Sequence, residues 1–194
     1  YTGPQMTYNA YSLTRYIDCD VTIIESYSSA QELGEVNQVE FYGTTTINHN
    51  STGESVLWFR DGTLSPYLKI MENASLTVST TKDFYFSSLG AVPVTISKGA
   101  SLILNVNSTV SRDSSHRFGD FLIDEGATLK VIQTGSTRSS ALIYCGGKLI
   151  ANENSNVYIE SNFSNIYPLI TFSNSNQTLT INNPLSFVLY NRNY

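Results

Sequence analysis

Three stretches of the chain are near copies of one another: IMENASLTV (70–78), ISKGASLIL (96–104) and IDEGATLKV (123–131). A fourth, IYCGGKLIA (143–151), follows the same scheme. Each begins at an isoleucine (Ile70, Ile96, Ile123, Ile143) and reaches a leucine six residues on (Leu76, Leu102, Leu129, Leu149). The copies start 26, 27 and 20 residues apart. Periods of this size belong to solenoids, propellers or arrays, and the inner unit decides among them. A short strand meets Asn or Gly, then Ala or Gly, and an apolar alternation resumes. Gly and Asn tolerate a positive φ, so the unit is a corner between two walls of a coil. In KGASLILNV (98–106), Gly99-Ala100 turns the chain, Leu102 and Leu104 point inwards, and Ser101, Ile103 and Asn105 face outwards or stack. A propeller blade needs four strands in about 40–45 residues, and a leucine-rich repeat needs its own leucine pattern with a helix; neither pattern is present. The repeat predicts an all-β fold, a parallel β-helix or β-solenoid, spanning 1–194 as one domain. Its period gives about seven to nine turns and a column of roughly 35–45 Å at strand spacing.

Other segments obey the same grammar. VEFYGTTTINHN (39–50), ESVLWFRDG (54–62), NSNVYIESN (154–162) and NQTLTINNP (176–184) are alternating strands bounded by Gly, Asn or Pro. Thr and Asn beside the corners are placed to stack as ladders. SSAQELGEV (28–36) reads as a loop, with one short helical turn as the alternative. Trp58 reads as structural, because Val56 and Trp58 share one face and Leu57 and Phe59 the other. The two cysteines, Cys19 and Cys145, would lie several rungs apart, on the order of 25 Å. They read as buried free thiols, and their spacing gives no zinc pattern.

Charge narrows the functional classes. The 194 residues carry a formal net charge of -5, and only 14% are charged. That balance argues against a phosphate-backbone binder, so nucleic acid is not an expected partner. No apolar run has the length of a membrane span, so this segment is not expected to insert in a membrane.

Candidates for chemistry are few. Asp18 and Asp20 fall two apart on what reads as one strand face, with Glu25 nearby, and they read as a solvated face. Asp124 and Glu125 read as a polar corner. His49, in INHN, reads as a turn residue. No aligned set of carboxylates suggests a hard-cation site, so no catalytic, cofactor or metal residue is assigned. The segment SRDSSHRFGD (111–120) reads as the longest clear loop between rungs. It gathers Arg112, Asp113, His116, Arg117 and Asp120, and guanidinium forks suit carboxylate or sulfate on acidic sugars. Phe118 is placed either to support that loop or to stack on a ring. Tyr8, Tyr11 and Tyr16 are a second ligand-binding candidate, because a tyrosine ring stacks on the apolar face of a pyranose. For both groups the plainer alternative is a structural role: a self-paired loop, and the wall of an irregular early coil.

YTGPQMTYN (1–9), EVNQVEFYGTTTI (35–47), STGESVLWFRDG (51–62), the GAS/GAT rungs and NNPLSFVLYN (182–191) together resemble the pectate lyase-like adhesive domain of Gram-positive bacterial surface proteins. The likeness runs over nearly the whole chain and covers the later part of that domain, so the chain is expected to be a fragment without its N-terminal rungs and cap. The resemblance implies a right-handed β-solenoid on the bacterial cell surface, outside the cell, with its anchor in another segment. It implies non-enzymatic adhesion to host glycans, mucin or matrix glycoproteins. Two other readings stand beside it: a polysaccharide lyase or hydrolase acting on acidic polysaccharide, and a structural stalk or spacer.

Overall fold

The computed structural model describes residues 13–25, 31–36, 38–51, 57–61, 67–81, 84–85, 92–108, 116–135, 141–161, 168–172 and 177–191. Strands follow one another in triplets, each triplet one coil. The first coil is β1 (Leu13–Ile17), β2 (Asp20–Glu25) and β3 (Gln31–Val36), and the second β4 (Gln38–Tyr42), β5 (Thr44–Ser51) and β6 (Leu57–Asp61). The third is β7 (Tyr67–Ile70), β8 (Ser75–Thr80) and β9 (Phe84–Tyr85), and the fourth β10 (Val94–Ile96), β11 (Ser101–Ser108) and β12 (His116–Phe118). The fifth is β13 (Phe121–Ile123), β14 (Thr128–Gly135) and β15 (Ile143–Cys145), and the sixth β16 (Lys148–Ala151), β17 (Asn156–Ser161) and β18 (Ile170–Phe172). Strands β19 (Thr178–Ile181) and β20 (Ser186–Asn191) open a further coil.

Every third strand pairs in parallel. Sheet A runs β1-β4-β7-β10-β13-β16-β19, sheet B runs β2-β5-β8-β11-β14-β17-β20, and sheet C runs β3-β6-β9-β12-β15-β18. This is a β-solenoid with three walls. The described strands make six complete coils plus two strands, against the seven to nine turns expected. Seven strands spaced at about 4.8 Å stand roughly 30 Å high, below the expected height.

The shortfall has an identifiable cause. Ile70, Ile96 and Ile123 do stack in sheet A, and Leu76, Leu102 and Leu129 stack in sheet B. The fourth copy is out of phase. Ile143 lies in sheet C opposite His116, and Leu149 lies in sheet A opposite Phe121. The true fourth partners are Ala151, opposite Ile123, and Val157, opposite Leu129. The apparent 20-residue interval joined two different corners, and the true repeat there is 28 residues, from Leu129 to Val157.

The interior follows from the alternation. Leu76, Leu102, Leu129 and Val157 form one inward stack, and Val78, Leu104, Val131 and Ile159 the next, all fully buried. Aromatic rings continue the stacking. Tyr16 lies against Phe41 with centroids 5.0 Å apart, and Phe118 against Phe121 at 4.8 Å. Three expectations change here. Gln31–Val36 is a strand, not a loop. His49 is no turn residue: it sits within β5, buried, with Nδ1 3.0 Å from Thr80 Oγ1. Both cysteines are free, but only Cys145 is buried; Cys19 is half-buried, its Sγ 3.8 Å from Thr45 Oγ1. Trp58 falls opposite Glu32 and Tyr85 in sheet C.

Candidate functional site: a groove on sheet B

The outer face of sheet B is built by register. Asn48, Ser79, Asn105 and Ile132 occupy one outward column. Asn107 and Thr134 are paired two residues further along the strands. Inward-facing His49, Thr80 and Val106 lie between these outward positions. Across the ends of β5, β8, β11 and β14 these residues enclose a groove of about 490 Å³, lined also by Asn50 and Thr81. Among the described residues its lining contains no Asp, Glu, Lys or Arg. Short amides and hydroxyls stand beside the outward carbons of Ile132.

Inter-rung hydrogen bonds fix some of these side chains. Thr134 Oγ1 shares its proton between Asn107 Oδ1 and Val106 O, each at 3.4 Å. That bond uses the amide oxygen of Asn107, not its two Nδ2 hydrogens. Beyond the groove the same ladder continues, with Ser101 Oγ donating to Ser75 Oγ at 3.0 Å and Ser186 Oγ to Asn156 Oδ1 at 3.1 Å. The anticipated Thr and Asn ladders are therefore present, with serine prominent among them.

The groove lies where sheet B hands the chain to sheet C. After β11 and β14 the next seven residues, 109–115 and 136–142, join the two sheets; after β17 eight do, 162–169. The stretch 109–115, which holds the start of SRDSSHRFGD and lies outside the described residues, is matched in length by the connections after β14 and β17. His116, Arg117 and Phe118 form β12, with Arg117 opposite Tyr85 and Tyr144. Phe118 is wholly buried against Phe121, so it is part of the core and not a stacking platform. Arg112 and Asp113 lie outside the described residues, as do Tyr8 and Tyr11.

Asp120 is exposed, and it has structural work. Its Oδ1 accepts the Lys148 backbone N–H of the next coil at 2.9 Å. Gly147 leaves the room for this, since a Cβ there would lie 2.5 Å from that oxygen. Asp18 does the same at another corner, accepting the Thr44 N–H at 2.8 Å above Gly43. Asp18 and Asp20 therefore do not share a strand face; Asp18 turns the corner between β1 and β2 with φ 46. Asp124 and Glu125 do form a polar corner. Glu125 pairs with Lys98 at 2.8 Å, and Asp124 accepts from Asn152 at 3.4 Å. Tyr16 lies on the inner face of β1, against Phe41.

Sequence reasoning missed one cluster. Glu40, on the outer face of β4, accepts from Arg15 Nε at 3.0 Å, Tyr42 hydroxyl at 2.8 Å and Tyr67 hydroxyl at 2.9 Å. Burial works to raise the Glu40 carboxyl. The bonds from Arg15, Tyr42 and Tyr67 and the Arg15 charge outweigh it, holding the carboxyl below its ordinary value. Tyr42 is two residues along the same strand, but Arg15 and Tyr67 lie 25 and 27 residues from Glu40, so only the coil period could have linked them. Elsewhere, burial, with Asp120 second, pushes the Cys145 thiol up to about 12.

Among the described residues no three His, Cys, Asp or Glu group into a possible metal site, and no helix is long and apolar enough to cross a membrane. No protein-family model, curated protein or solved structure matches the chain.

Proposed function

We propose that this chain is a non-enzymatic adhesion module of the pectate lyase-like kind, displayed on a Gram-positive cell surface and binding host glycans or glycoproteins. Its winding is right-handed on this reading, in keeping with the rule for parallel crossovers. The observation that supports binding is the groove on sheet B. Amide and hydroxyl groups without charge, set beside aliphatic carbon, match the hydroxyls and apolar faces of neutral sugars better than they match an ion. A rigid stack of strands holds them, so little ordering entropy opposes binding. The acidic-sugar expectation attached to Arg112 and Arg117 gives way in this reading to a neutral ligand in the groove.

A glycan array and a mucin-binding assay on the 194-residue chain test the proposal. Binding to neutral glycans is expected, and Asn105→Ala with Asn107→Ala should weaken it by roughly tenfold, the order of two lost hydrogen bonds. An intact, folded chain that binds no glycan or glycoprotein would point instead to the stalk reading.

A further inference from the structure

On sheet A, the outward residues of the first three rungs make a second surface. Register places Leu13, Arg15 and Ile17 on β1, Gln38, Glu40 and Tyr42 on β4, and Tyr67 and Lys69 on β7. One column therefore reads Arg15, Glu40, Lys69: cation, anion, cation. Glu40 holds the Arg15 guanidinium through Nε, while the Arg15 side chain is 54% exposed. Tyr42 and Tyr67 spend their hydroxyls on Glu40, which fixes both rings. Ile17, 61% exposed, and Leu13 extend the apolar part of the surface.

We infer that this face binds a glycan whose sugars are alternately anionic and neutral, lying across the strands with one sugar per rung. Arg15 and Lys69 stand two rungs apart, roughly 10 Å, and a sugar unit in an extended chain advances by about one rung. Two oxyanions separated by one neutral sugar would then meet the two cations. The neutral sugar between them would lie over Glu40, whose negative charge disfavours a second anion at that rung. The fixed tyrosine rings and Ile17 offer apolar surface to the pyranose faces. A polyuronate, charged on every sugar, would bring a carboxylate opposite Glu40 and be disfavoured by like-charge repulsion. This inference shares the glycan-binding reading but uses a different wall of the column.

The test is calorimetry on the full chain with three hexasaccharides. One alternates a uronate with a neutral N-acetylhexosamine (hyaluronan type), one is an oligogalacturonate, and one is a neutral N-acetylglucosamine oligomer. A sulfated alternating oligomer added as a fourth arm distinguishes sulfate from carboxylate as the preferred oxyanion. The alternating ligands should bind about tenfold tighter than the oligogalacturonate, and less tightly as salt is raised. Arg15→Ala and Lys69→Ala should each weaken them by roughly fivefold, the order of one charge-assisted contact. Equal affinity for the oligogalacturonate, or no loss in either cation variant with its circular dichroism unchanged, overturns the inference. Neutral oligomers binding through the groove while the alternating ones fail to bind would sink this inference alone and leave the adhesion reading standing.

Discussion

Glu40 stands on the outside of a strand, yet only 9% of it meets solvent. Three donors from three adjacent rungs converge on it, so one carboxylate ties β1, β4 and β7 together beyond their backbone ladder. A folded-state carboxyl held below its ordinary value contributes stability that is fully present above the unfolded value of about 4.3. That contribution is lost as the pH falls through the folded value. Glu40→Gln should therefore be less stable than the wild type at neutral pH, and the gap should narrow as the pH drops through that range. Urea unfolding across pH 3 to 7 measures this, and parallel curves would remove the carboxylate from the account. Only the Tyr42 contact, two residues along the same strand face, was legible from the local sequence. VEFYG shows a glutamate in a strand, but its partners Arg15 and Tyr67 are a full coil away on either side. Asp18 and Asp120 teach the same lesson. Both looked like candidates for chemistry, and both cap the backbone of the coil above, a role set by a glycine 25 or 27 residues later.

At the scale of the element, the corner between sheets A and B explains the repeat. In four successive coils an N–H of the fourth corner residue returns to the carbonyl of the first: Ala74 to Met71, Ala100 to Ser97, Ala127 to Asp124 and Ser155 to Asn152. The third residue, Asn73, Gly99, Gly126 or Asn154, has a positive φ of 58 to 66°. Only Gly and Asn adopt that geometry at little cost, and the sequence writes only those two there. In the next coil Pro184 occupies the third place and cannot take a positive φ, and Asn183 takes it instead, at 47°. Gly126→Ala should cost about 1–2 kcal/mol from backbone conformation alone, since no heavy atom lies closer than 4.0 Å to a Cβ built there. Gly126→Asn should cost less, and Gly99→Ala more, because its Cβ would lie 2.6 Å from Asn73 Oδ1. Thermal unfolding of the three variants checks that order. The corner chemistry was readable because it is local: four residues carry the whole constraint. The fourth copy misled because IYCGGK has the same small-residue look while turning from sheet C to sheet A.

For the molecule as a whole, the coil period sets what can be removed. Val94 and Phe121 stack in register, 27 residues apart, so residues 94–120 amount to one coil. Deleting them should leave a shorter folded column, because each rung contacts mainly its neighbours. Deleting 94–107 should unfold it, since the cut joins a wall to a corner out of phase. Circular dichroism and gel filtration separate the two outcomes; a soluble, β-rich product from the second deletion would contradict the register. The sequence by itself determined the all-β class, the coiled repeat, the A-to-B corner and the inward leucines. These depend on alternation and on φ at one residue, which are properties of neighbours along the chain. Tertiary structure alone decided the phase of the fourth copy, the number of coils, the placement of His49 inside and the assembly of both candidate sites. Each of those depends on which residues fall opposite one another after a turn of 25 to 32 residues, and a change of a few residues in any connection moves every such pairing.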